Sequence, residues 1–202
     1  MGAEDARAEP AGAEASQVIA LTTPLTVEVV RGLRVGDQVE LSGWIYTARD
    51  AAHKRLAEAL EAGQPLPIAL AGQVIYYVGP APTRPGQVIG PAGPTTAGRV
   101  DMYTPQLLAL GLKGMIGKGR RSPEVRRAIV EHQAVYFAMV GGAAALISDR
   151  IRQVELIAYA DLATEAIYRL TVDSLRMVVA NDVLGGDLFE AGQARYRTEA
   201  AG

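Results

Sequence analysis

Gly90-Pro91-Ala92-Gly93-Pro94-Thr95-Thr96-Ala97-Gly98-Arg99-Val100-Asp101-Met102-Tyr103-Thr104 crowds small residues, two adjacent hydroxyls and one cation where a chain usually carries bulk. Three glycines and two prolines precede Arg99. That composition predicts a fixed, non-regular loop whose backbone amides can approach a ligand closely. Thr95 or Thr96 then serves as an N-cap, with Met102, Leu107, Leu108 and Leu110 on a helix behind it. A helix starting this early puts Thr95 and Arg99 four apart on one face, and its N-terminus favours an anion, so both can address one small acid. A capped loop with a surface arginine fits the same spacing.

Outward from that loop, the pattern is of strands that end in glycine or a cation and then turn into helices. Gly36-Asp37 leads into Gln38 to Thr47, where the alternation at Val39 and Leu41 marks a half-buried strand. Arg49 follows directly, and Asp50 is a candidate cap for a helix through Leu56 and Leu60 to Gly63. Arg49 thus stands between a strand end and a helix start, where α/β folds collect ligand contacts. Asp50, His53, Lys54 and Arg55 each have an ordinary alternative as a cap, a local hydrogen bond or a solvated face. Ala71 to Gly79 reads as a short apolar strand. Gly114-Met115-Ile116-Gly117-Lys118-Gly119 repeats the design of buried strand and glycine-flanked cation, followed by a helix with Ser122 as cap, Pro123 first and Glu124 near its positive end. Lys118 is hard to explain as packing, although a surface lysine fits as well.

Ala134 to Val140 is a further buried strand, and Gly141-Gly142-Ala143-Ala144-Ala145 starts a helix whose tip is bare backbone. Close packing of helix on sheet asks for small residues there too. Val154 to Ala158 reads as a strand, Ala163 to Tyr168 as a short helix, Leu170 to Val172 and Met177 to Ala180 as two strands, and the residues from about Gly192 as a loose end.

The chain has 202 residues and is 49% hydrophobic, enough for one domain with a sizeable core. Residues 1–17, rich in Ala, Glu and Gly, read as a disordered tail, and the fold occupies 18–202. A net charge of -2 gives no general pull towards nucleic acid or a membrane surface. There is no cysteine, and His53 and His132 are the only histidines, so a metal site on this chain is not expected. No run approaches a membrane span and no signal peptide is visible, which points to a cytoplasmic protein.

Thr47-Ala48-Arg49-Asp50-Ala51-Ala52-His53-Lys54-Arg55, Tyr76-Tyr77-Val78-Gly79-Pro80, Gly90 to Arg99, Ile116-Gly117-Lys118-Gly119 and Val140-Gly141-Gly142-Ala143-Ala144 together resemble the C-terminal half of class I, iron–sulphur fumarate hydratases, a separate β subunit in two-component members. The resemblance covers roughly residues 20 to 190. It implies an α/β fold, a swivelling β/β/α domain with a mixed sheet and flanking helices. It also implies a 4Fe–4S cluster held by three cysteines of an α subunit, one iron acting as Lewis acid, and a hetero-oligomer for which α2β2 is one arrangement. Carried over residue by residue, it makes Arg49, Arg99 and Lys118 the cations that hold the carboxylates of malate or fumarate, and Thr95 a participant in proton transfer. Planar guanidinium groups suit a diacid, because each can grip a carboxylate through paired hydrogen bonds. A hydroxyl is a poor base by itself, so Thr95 is expected to relay or position. Two departures stand out: Val100, where the family commonly has methionine, and Leu162-Ala163-Thr164-Glu165, where a Gly-Met pair often precedes the matching Glu. Neither is expected to touch a substrate contact. L(+)-Tartrate dehydration and mesaconate hydration are related expectations, and a non-catalytic module that binds dicarboxylates or partners is one of a different class.

Overall fold

The computed structural model describes residues 17–139 and 144–199. The expected tail therefore lies outside the described residues apart from Gln17, as does the Gly141-Gly142 helix tip. Seven strands, β1 (Ile19–Thr22), β2 (Gln38–Thr47), β3 (Val74–Tyr76), β4 (Gly114–Gly117), β5 (Val135–Ala138), β6 (Ile151–Ala158) and β7 (Ile167–Asn181), form one sheet in the order β1-β2-β3-β4-β5-β7-β6. The pairs from β1 to β5 are parallel, whereas β7 runs antiparallel to β5, β6 and also β2. Because β7 pairs with both β5 and β2, the path β2-β3-β4-β5-β7 returns on itself. The outcome is the expected α/β fold with a mixed sheet.

Alternation along the short central strands sends side chains into two separate cores. Val74, Tyr76, Ile116, Val135 and Phe137 pack inside the curved sheet with Leu41, Ile45, Leu170 and Val172. Their neighbours Ile75, Tyr77, Met115 and Tyr136 face the helices, against Leu56, Leu107, Leu108, Val125 and Ile129. Among the described residues six helices flank the sheet: α1 (Val27–Gly32), α2 (Asp50–Glu61), α3 (Thr104–Ala109), α4 (Pro123–Glu131), α5 (Ala144–Ser148) and α6 (Leu188–Glu199). In α2 the residues Ala52, His53, Leu56 and Ala57 recur at helical spacing and are buried. β2 spans the residues its alternation predicts, and Ser122 caps α4 as expected, its side chain accepting from the Val125 amide.

Several sequence expectations are corrected. The helix expected from Thr95 or Thr96 is instead a 3-10 turn at Ala97–Val100, and α3 begins only at Thr104, with Pro105 in its first turn. Asp101 explains the break: its carboxylate accepts from the Ser122 amide at 2.6 Å and from Arg121 Nε at 2.7 Å, which draws the chain towards α4. Leu107 and Leu108 are buried, but Met102 and Leu110 are exposed. The short helix expected at Ala163–Tyr168 is a 3-10 turn at Ala160–Glu165, after which Ile167 already pairs in β7. The two strands expected after it are one strand of 15 residues, long enough to serve three partners. The loose end is α6, whose start is capped by Asp187 Oδ1 accepting from the Phe189 and Glu190 amides.

Candidate active site

Parallel strands bring their C-terminal ends to one edge of the sheet, the usual place for ligands in an α/β fold. Here β2 delivers Arg49, the chain after β3 delivers Val78 and Gly79, and β4 delivers Lys118. The Pro94 to Ala97 segment is laced between the last two. Pro94 bridges to Val78, Thr96 bridges to Lys118, the Lys118 amide donates to Thr95 O at 3.1 Å, and the Ala97 amide donates to Lys118 O at 2.9 Å. A side chain at Gly117 would meet the Tyr77 ring at 2.8 Å and Ala97 Cβ at 3.2 Å, so the absence of one lets this lacing close.

Thr95 is held from both its amide and its hydroxyl, which donate to Tyr77 O at 2.8 and 2.9 Å. Its proton is therefore engaged with backbone, and the oxygen lone pairs remain for a ligand. Thr95 caps no helix, and Thr96, at the cap position of the 3-10 turn, makes no side-chain cap bond. The two do not share a helical face with Arg99; Arg99 is instead tied to the same edge through Asp50, Nη1 to Oδ2 at 3.8 Å. Lys118 and Arg99 are exposed.

Arg49 is the cap residue of α2, and Asp50 is the first helical residue rather than the cap. With an arginine at the cap no side-chain acceptor is available locally, and Glu165 takes that role from the other end of the chain: its Oε2 accepts from the Ala51 amide at 3.0 Å, while Oε1 lies 3.7 Å from Arg49 Nη2. The Leu162 to Glu165 stretch therefore does touch an expected substrate contact, contrary to the sequence expectation. Beneath, His53 is buried, its Nδ1 3.0 Å from Arg49 O and its ring edge-on to Tyr77 at 5.4 Å. Burial lowers its pKa to about 4, so it is neutral at pH 7.

Sequence reasoning also missed Arg121. It is buried, and donates to Asp101 Oδ1 at 2.7 Å, Thr104 Oγ1 at 2.8 Å and Tyr77 Oη at 3.1 Å, with its guanidinium over the Tyr77 and Tyr136 rings. Burial works against its charge, but Tyr77 and Asp101 outweigh that and raise its pKa. This network anchors the segment after Arg99 to the strands. Nothing local in Gly119-Arg120-Arg121-Ser122 distinguishes it from the exposed Arg120 beside it.

The four expected residues thus share one edge. They line neither the cavity of about 460 Å3 between Arg84, Val88, Ser148 and Arg152 nor that of about 420 Å3 between Met139, Leu146 and Leu175. Along this rim Arg99 and Lys118 are exposed, whereas Arg49 is largely buried.

Residues 3–192 match the family model described as the fumarase C-terminus. This chain belongs to that family. A relative named class I aerobic fumarate hydratase, from Escherichia coli strain K12, is 38% identical over 158 residues, covering 77% of this chain and 29% of that protein. Fumarate hydratase 2 of Leishmania major is 37% identical over 157 residues, 77% of this chain and 28% of its own length. The chain therefore spans under a third of the length of these two fumarate hydratases. A Methanocaldococcus jannaschii protein with the provisional name L(+)-tartrate dehydratase subunit beta is 33% identical over 172 residues, 82% of this chain and 88% of that protein. The fumarase C-terminus family thus includes a member of nearly the same extent as this chain.

Proposed function

We propose that this chain is the β component of a heteromeric hydro-lyase that hydrates fumarate reversibly to L-malate, and that its part is to hold the diacid. The observation that carries this is the single rim: Arg49 and Lys118 come from two strand ends and Thr95 and Arg99 from one connecting loop, whose backbone bonds around Thr95 and Lys118 tie it to the strands. Arg49 and Arg99 each offer paired donors to a carboxylate, Lys118 adds a point charge, and Thr95 orients the substrate or passes a proton. The 3.7 and 3.8 Å ion pairs of the two arginines are loose enough to leave donors for a ligand.

The chain contains no cysteine, and among the described residues no three His, Asp or Glu side chains form a metal-binding group. A 4Fe–4S cluster does not fit the residues of this chain, and on this reading it belongs to an α subunit with three cysteines, whose surface closes the rim. Among the described residues no helix is long and apolar enough to cross a membrane.

Co-expression with such an α subunit and assay without oxygen tests the proposal. The complex should hydrate fumarate while the purified chain by itself does nothing; hydration by the isolated chain would refute it. A second reading, L(+)-tartrate dehydratase, is favoured by the relative that this chain covers over 88% of its length. A panel of fumarate, mesaconate and L(+)-tartrate separates the two.

A further inference from the structure

Arg49 can grip a substrate only if its guanidinium is aimed, and the residues that aim it come from far along the chain. A cap for α2 would ordinarily be a Ser, Thr, Asp or Asn at the cap position. Arg49 occupies that position without a side-chain cap bond, and Asp50 faces Arg99. Glu165 meets the vacancy with one oxygen and meets Arg49 with the other. Capping accounts for Oε2 but not for a carboxylate whose second oxygen faces a guanidinium.

The geometry around this pair is built to hold it. Thr47, buried at the end of β2, donates from its hydroxyl to Ala166 O at 3.2 Å and accepts from the Tyr168 amide at 2.9 Å. That clamp fixes the backbone immediately after Glu165 to the strand that carries Arg49. Gly79 leaves room for the arginine: a Cβ there would lie 2.5 Å from Nη1 and 3.0 Å from Cδ. Among the described residues Arg49 Nε is buried without a hydrogen-bond partner, so the guanidinium is located by Glu165 while keeping donors unspent. Both side chains are largely buried, 21% and 27% exposed, and their attraction is less screened than that of a surface pair.

We infer that Glu165 is a positioning residue for the diacid-binding site, setting the direction in which Arg49 presents its donors. This rests on the proposed role of Arg49 in holding substrate. Glu165→Gln keeps an acceptor for the Ala51 amide and removes the charge. In the reconstituted complex it should lower kcat by at least about tenfold while KM stays within about threefold, because substrate still binds but is misaligned. In an Arg49→Ala background the same change should add nothing, since residues that act through one another are not additive. Gly79→Ala, which pushes hardest on Arg49 and only closely approaches Thr164 O, at 3.3 Å, should reproduce the loss of kcat.

A lower KM with unchanged kcat would make Glu165 a mere competitor for Arg49 and overturn the inference. So would full additivity with Arg49→Ala. Should Glu165→Gln fail to fold, Gly79→Ala decides by itself, and retained kcat there overturns it. An activity-free reading comes from the Arg49 Nε–H resonance of the full chain, assigned with Arg49→Lys: it should shift in Glu165→Gln, and an unchanged resonance overturns the inference whatever the substrate. Loss of the proposed function looks different, because then Arg49→Ala itself leaves turnover intact or no C4 diacid is turned over.

Discussion

Arg121 and the rim arginines are the same side chain in opposite settings. Arg121 is enclosed, with oxygen partners at 2.7, 2.8 and 3.1 Å and two aromatic faces. Arg49 and Arg99 stand at the ends of strands and loops with carboxylates at 3.7 and 3.8 Å, and Arg99 is 58% exposed. An arginine whose every nitrogen has a close partner holds structure, whereas one whose partners are distant keeps donors for a ligand. The contrast also places the two kinds of failure apart, one in folding and the other in turnover.

The largest effect that tests this contrast is on stability. Arg121→Met strips the buried partner from Asp101 and leaves its carboxylate uncompensated, and should cost about 3–5 kcal/mol in denaturant unfolding. A midpoint close to that of the unaltered protein would show that Arg121 is no anchor. Next comes pH. His53 has a folded pKa of about 4 against an ordinary 6.5. Between these values the unfolded chain takes up a proton that the folded chain refuses, so this contribution is complete above about pH 6.5 and is lost as pH falls towards 4. The change amounts to roughly 3 kcal/mol. Urea midpoints of the protein and of His53→Gln across that range should diverge; parallel curves would remove His53 from the account.

Arg99→Ala belongs to the other class. It should reduce kcat/KM of the reconstituted enzyme by roughly a hundredfold, about 2.7 kcal/mol, with little change in unfolding midpoint. Retained turnover would favour a non-catalytic binding module. The smallest effect is expected from Asp50→Asn, which removes only the exposed partner of Arg99 and should change stability by less than about 1 kcal/mol. A large loss of stability there would mean that the rim pairs are structural after all, and the contrast with Arg121 would collapse.

Features carried by neighbours in the chain were legible beforehand. Gln38 to Thr47 alternates, so its strand could be read to the residue, and Ser122-Pro123-Glu124 announced the start of α4. Lys118 also stood out, because a cation flanked by two glycines after an apolar run is hard to explain as packing. The Thr95 helix was misread because Asp101 spends its carboxylate on Arg121 and Ser122, twenty and more residues onward, and no local pattern records that choice. β7 was divided in two because its polar middle looks like a turn until β2 and β6 are seen to pair with it.

By its order of residues alone the chain determined its strands with alternating or apolar runs, its cap at Ser122, its lack of thiolate ligands and the identity of the cations on offer. The tertiary structure decided which arginine is enclosed and which is only loosely paired, and brought Glu165 to Arg49 across more than a hundred residues. The physical reason is that periodicity and capping act over a few positions, whereas the partners of a charge are set by whichever groups the closed sheet brings within a few ångströms.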